Sequence, residues 1–342
     1  MIHKKINIQK IIPALVKIIG VILLIIGLVA AYYGPMEWHV YSFFSEGGSF
    51  HYDGFRMGSA WFGGLVVLNS GYYLMAALCI PLAIGHLKLR RWTVTLSRLY
   101  LWFWLGAGML LLVNLLLLVP SAVELNLIQD ISVFEFGMFA IALLFVTVIL
   151  PSLGLFFYSS KKVNALFKKQ DTHEYWIDRY PFPLLAVLLL LGMMIIVLHY
   201  AIFFQGIFPM FGQLWFGRQP VYLITICILS IGILMYGIIQ LKAWAWWGTL
   251  LAVAALAIST ISSFSKYPLY QIVLMMKLPE YEISLFNQIP IVHDYHLVNL
   301  LAPPLLVTLV LLIHSTKYFR KGIKSPAIFR KHSKSLHKKR SQ

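Results

Sequence analysis

His293 and His296 stand three residues apart, with Asp294 between them. On a helix that spacing places both imidazoles on one face. Far upstream, His51 and Asp53 form a second close pair, preceded by Glu37 and His39. Neutral imidazole nitrogens and carboxylate oxygens are the ligands that zinc and other divalent ions take from proteins. His39, His51, Asp53, His293 and His296 are therefore the candidate metal ligands, with Glu37 and Asp294 as supporting carboxylates. A divalent metal held there would give an outward-facing metal or acid/base centre and make the chain a membrane enzyme. The signal has low specificity, because the two groups are about 240 residues apart and the HExxH arrangement of zincins is absent. Solvated or hydrogen-bonded loop residues are the competing reading. Haem is disfavoured: His199 falls near the outer end of its span and His314 near the inner end of another, and His86 with His314, the remaining pair at the inner edge, reads better as ordinary interfacial histidines.

Whatever positions these residues is overwhelmingly apolar. Of 342 residues, 60% are hydrophobic and 12% charged, at a mean hydropathy of +0.80. Soluble domains carry about 25% charged residues, so a water-soluble protein is excluded. Long unbroken Leu/Ile/Val runs exclude a disordered chain. They also exclude a transmembrane β-barrel, whose strands alternate over roughly 10-residue segments. The fold class is all-α: a polytopic integral membrane helical bundle. Eight transmembrane helices are expected near residues 11–33, 61–85, 93–119, 134–158, 183–204, 220–240, 244–264 and 297–316, each approaching or exceeding the roughly 20 residues a crossing needs. Residues 1–10 are basic, but the following apolar run is too long for a cleaved signal, so it reads as a retained first span.

Charge sets the orientation. With both termini cytoplasmic, 24 of the 28 Lys and Arg fall inside, and only Arg56, Arg218, Lys266 and Lys277 fall outside. This satisfies the positive-inside rule and argues for a multi-pass protein of the cell membrane. The formal net charge of +16 then marks the ends of spans, so no nucleic-acid partner is implied. Its densest stretch is the tail after Lys317, a topology anchor suited to the lipid bilayer and to anionic lipid headgroups. Cys79 and Cys227 lie in apolar runs at different depths, which argues against a disulfide.

Repetition organises the chain. Leu87-Lys88-x3-Trp92-x2-Thr95-Leu96 recurs as Leu241-Lys242-x3-Trp246-x2-Thr249-Leu250, an offset of 154 residues. Ser159-Ser160-Lys161 recurs as Ser315-Thr316-Lys317, at 156. Two tandem parallel four-helix repeats follow: a first membrane unit at 1–160, a cytoplasmic linker at 161–182, a second unit at 183–316 and a basic tail at 317–342. The tryptophans of the repeated turn read as interfacial anchors. Buried charge is scarce, so ion-coupled transport is disfavoured. Arg98 is placed to snorkel, while Asn114, Asn299 and the Ser259-Thr260-x-Ser262-Ser263 cluster read as interhelical hydrogen-bonding groups. The segment around Tyr267–Lys277, bounded by Pro268 and Pro279, is too short to span and reads as an interfacial or re-entrant helix.

The functional reading is a non-catalytic scaffold, sensor or accessory subunit with a membrane protein partner. The alternatives are a transporter of a neutral, amphipathic or lipid-like substrate and the membrane enzyme described above.

Overall fold

An apolar run removed from water can satisfy its backbone N–H and C=O groups only by bonding within itself, and the helix is the form that does so. The computed structural model describes residues 8–44, 48–49, 59–124, 133–289 and 291–320. Its described residues include eight helices long and apolar enough to cross a membrane. The chain divides into two compact units between Asp178 and Arg179.

The first unit begins with α1 (Ile8–Phe44) and α2 (Ala60–Leu87), which pack along most of their length. Their contact is a seam of glycines. Gly20, Gly27 and Gly34 recur every seven residues, the spacing that keeps one stripe of a helix facing its neighbour. A Cβ at these positions would lie 2.9 Å from His86, 2.7 Å from Ile80 and 3.0 Å from Tyr73. Small residues let the two backbones approach, which is how helices gain contact energy where lipid is as apolar as the protein. Because α1 continues to Phe44, residues 34–44 are helical, whereas the sequence pattern places them in the first outer loop.

Next comes α3 (Trp92–Glu124), then a rod built of α4 (Val133–Leu144), a π-helical turn (Phe145–Ile149) and α5 (Leu150–Ser159). Pro151 explains the π turn, since it lacks the N–H that would pair with the Thr147 carbonyl. That freed carbonyl lies 2.5 Å from where a Cβ on Gly108 would stand, so α3 approaches it through a missing side chain. Two short helices follow, α6 (Lys161–Gln170) and α7 (Trp176–Arg179).

In the second unit, α8 (Phe182–Phe203), α9 (Arg218–Ile239), α10 (Ala243–Phe264) and α14 (Val298–Arg320) form a ring, α8 and α10 each touching both α9 and α14. Leu184, Leu191, Ile224, Ile238, Trp246 and Leu312 fill it. Between α8 and α9 a two-stranded antiparallel hairpin pairs β1 (Phe208–Met210) with β2 (Gln213–Trp215), with Phe208 opposite Trp215. Nothing in the apolar pattern announces it. Between α10 and α14 lie α11 (Leu269–Met275), α12 (Glu280–Asn287) and α13 (Ile291–Asp294), so the Pro-bounded segment is helical, as expected.

The turns α2–α3 and α9–α10 have the same backbone. In the first, Arg90 N–H bonds the Gly85 carbonyl at 2.8 Å and Leu89 N–H bonds the His86 carbonyl at 3.2 Å. In the second, Lys242 N–H bonds Gly237 and Leu241 N–H bonds Ile238, both at 2.9 Å. Each is a Schellman ending whose left-handed residue is a leucine, Leu89 at φ 50° and Leu241 at φ 54°. The glycine before it is required: a Cβ on Gly85 would strike Thr93, and one on Gly237 would strike Ala245. The structural register is therefore 152 residues, not 154, and Trp92 corresponds to Trp244. Gly-x3-Leu-(Arg/Lys)-x-Trp is the shared signature. The second expected match does not share a conformation: Ser160 caps the start of α6, whereas Ser315 lies within α14 and donates to the Leu312 carbonyl.

Candidate functional site

The expected outer ligands spread over both units. His39 belongs to α1 in the first unit, is exposed, and meets Phe43 edge to face at 4.9 Å. His51 and Asp53 lie outside the described residues. His293 meets Tyr270 at a 40° tilt with 4.1 Å between ring centres, and its Nε2 lies 3.4 Å from the Asn287 carbonyl. Nδ1 of His296 lies 3.3 Å from the carbonyl of Phe264, at the end of α10. Among the described residues no group of three or more His, Cys, Asp or Glu is arranged to hold a metal.

Polar chemistry instead concentrates in the first unit, beside the α2–α3 turn. Helix α3 starts after Arg91, whose side chain cannot cap it, so the exposed first-turn amides need an acceptor from elsewhere. Asp171, 80 residues away, provides one: its Oδ2 accepts the Arg91 N–H at 3.2 Å and the Tyr175 hydroxyl at 3.1 Å. Its Oδ1 accepts the His173 N–H at 3.2 Å, and Arg90 stands 3.7 Å away. Burial alone would raise the Asp171 carboxyl, but the Arg91 and His173 amides, the Tyr175 hydroxyl and the Arg90 charge together hold it below the usual carboxylate range. Asp178 meets α3 a turn further along, through a side chain and not an amide. It accepts from the Thr95 hydroxyl at 3.0 Å and the Tyr175 amide at 3.3 Å, with Arg91 Nε at 3.8 Å. Arg91 Nη2 reaches Glu174 at 3.0 Å. Together these contacts fix the 171–178 segment to the start of α3 and border a cleft of about 150 Å³ lined by Arg91, Thr95, Asn164, Lys168 and Asp178.

Beneath this layer His86 is buried, with Nδ1 2.6 Å from the Leu82 carbonyl and Nε2 against the Tyr158 hydroxyl. A carbonyl can only accept, so Nδ1 carries the hydrogen; in the neutral ring Nε2 then accepts from Tyr158. The Tyr158 carbonyl, unmatched near the end of α5, takes Arg98 Nε at 2.9 Å, Arg98 Nη2 at 2.6 Å and Asn164 Nδ2 at 3.0 Å. Arg98, read from the sequence as snorkelling, and His86 are both tied into the junction of α2, α3, α5 and α6.

In the second unit the serine cluster holds the hairpin. Ser259 Oγ accepts from Phe211 N–H at 3.0 Å and donates to the Pro209 carbonyl at 2.8 Å, while Ser263 Oγ accepts from Gly212 N–H at 3.0 Å. Lys266 Nζ adds a bond to the Gly212 carbonyl at 3.1 Å. The expected interhelical role of these two serines is therefore corrected: their partners are strand and turn backbone. Trp246 is corrected too. It is buried, and its indole N–H donates to the Leu312 carbonyl at 2.9 Å, whereas Trp244 and Trp247 are exposed.

What sequence reasoning misses at the α2–α3 turn is the use of Asp171 and Asp178. Their only signal is that they are acids in an otherwise basic linker. Comparison with family models, curated proteins and solved structures finds no match, so the reading of function rests on this geometry.

Proposed function

We propose that the chain is a non-catalytic, multi-pass protein of the cell membrane that acts as a scaffold, sensor or accessory subunit. In this reading both termini are cytoplasmic and the two units are parallel repeats of one four-helix ancestor. One observation carries the functional conclusion: six polar side chains in and beside the spans are spent on backbone, while the buried Asn69, Thr93 and Ser97 have no hydrogen-bond partner among the described residues. His86, Arg98, Trp246, Ser259, Ser263 and His296 each bond a main-chain carbonyl or amide, which is the use a structural framework makes of them. The repeat reading is supported by the two Schellman turns with their shared Gly, Leu and Trp. The orientation is supported by the distribution of Lys and Arg.

The deciding experiment is photocrosslinking in native membranes from positions on α1 that its own unit leaves exposed, such as Ile25 and Tyr32. A single stoichiometric protein adduct is expected. Lipid-only adducts, together with a divalent metal that copurifies with the wild type and is lost in a His293→Ala/His296→Ala variant, would replace this reading with the membrane enzyme. Topology is read separately: a cysteine at Ser284 should react with an impermeant reagent from outside, and one at Lys169 should not.

A further inference from the structure

The cleft beside the α2–α3 turn has two walls, Arg91 from the turn with Thr95 from α3, and Asn164 and Lys168 from α6. Its volume of about 150 Å³ suits a tetrahedral oxyanion with a few waters, at roughly 30 Å³ per water. Asp178 accepts from Thr95 and Tyr175 and is paired with Arg91. Among the described residues, Arg91 Nη1 makes no hydrogen bond and Lys168 makes no ion pair. The unspent groups of the cleft are therefore cationic donors. The lining thus carries two cations, Arg91 and Lys168, against one carboxylate, Asp178, which leaves a surplus of positive charge.

Helix α6 packs its apolar face on the core of the first unit and turns its lysines outward. Val163 and Phe167 are buried beneath it while Lys161, Lys162, Lys168 and Lys169 stay exposed. Only Ser160 separates it from α5, the end of a span, so the cleft lies at headgroup level.

We propose that this cleft holds the phosphate of an anionic phospholipid, with Lys168 Nζ and Arg91 Nη1 donating to its oxygens. The surplus of cations selects an anionic over a zwitterionic headgroup, since the cleft has no unspent carboxylate to receive a choline. A soluble phosphate-bearing anion would use the same donors. The inference rests on the membrane-spanning reading but is independent of the scaffold role.

The test is native mass spectrometry of the full chain released from nanodiscs containing equal phosphatidylglycerol and phosphatidylcholine. The wild type should retain phosphatidylglycerol selectively. Lys168→Gln should lower that retention about fivefold, the factor equivalent to one basic contact at a membrane surface, and Lys168→Arg should restore it. A Lys161→Gln/Lys162→Gln variant, which removes two cations from the same helix outside the cleft, should retain the lipid. Equal loss in that variant, or equal retention of both lipids by the wild type, overturns the site. Retention that survives excess inorganic phosphate assigns the lipid; displacement assigns a soluble phosphoanion and overturns the lipid. Lipid retention is read whichever side faces the cytoplasm, so failure here is distinct from failure of the topology or of the crosslinking.

Discussion

The α2–α3 and α9–α10 turns share a backbone and are secured by opposite chemistry. In the first unit, carboxylates reach in from a distant segment: Asp171 accepts the Arg91 amide at the start of α3, Asp178 accepts the Thr95 hydroxyl, and the two pair with Arg90 and Arg91. In the second, α10 starts at Lys242 with no side-chain cap, and the stabilising contact is the Trp246 indole, inserted into the core and bonded to the Leu312 carbonyl of α14. Where Trp246 stands, the first unit has Val94 in the 152-residue register. One conformation can thus be locked by charge at a wet rim or by packing in a dry interior. The two locks differ in which conditions release them: salt and acid act on the first, volume on the second.

Removing the packing lock should have the largest effect. Trp246→Ala deletes a buried aromatic and leaves a cavity, so a loss of about 3–5 kcal/mol is expected in detergent unfolding, insensitive to salt. Tyr158→Phe tests the dry layer beneath the polar lock. It strands His86 Nε2 in a buried site, for a loss of about 1–3 kcal/mol. A smaller effect, about 1 kcal/mol, is expected for Asp171→Asn, which keeps the shape of the cap and removes its charge. Because the Asp171 carboxyl is lowered in the folded chain, its contribution is complete above the ordinary carboxylate range near pH 4. It fades as pH falls through the folded value. Wild type should therefore lose its advantage over Asp171→Asn on acidification below about pH 4, and a constant difference would remove the electrostatic account. Glu174→Gln, at a half-exposed pair, should change stability by no more than about 0.5 kcal/mol, and by nothing measurable at high salt.

The spans are legible in the sequence because hydropathy is a sum over some 20 residues and tolerates local error. All eight long helices fall where the apolar runs do. Single side chains are harder, since their roles depend on partners far along the chain. Ser259 and Ser263 have helical spacing and read as interhelical groups, yet their partner is a hairpin some 50 residues upstream. Trp246 resembles an interfacial anchor because tryptophan next to a basic turn usually is one. The true equivalent of Trp92 is Trp244, and only the glycines reveal the shift, because they alone are needed for the backbone to close. The candidate cleft is invisible in the sequence, since Asp171 and Arg91 meet only after the linker folds back. The proposed histidine ligands show a different limit: residue types suited to metal carry no information on whether their loops converge.

The glycine seam of α1 and α2 has a consequence for biogenesis. Gly20, Gly27 and Gly34 find their contacts between Tyr73 and Leu87, so this hairpin completes its closest packing without any residue from later spans. It can therefore close in the bilayer while α3 is still being synthesised, leaving the insertion machinery as a finished pair. A bulky residue in the seam would then act during synthesis, by exposing a half-assembled hairpin to quality control, before the stability of the mature protein comes into question.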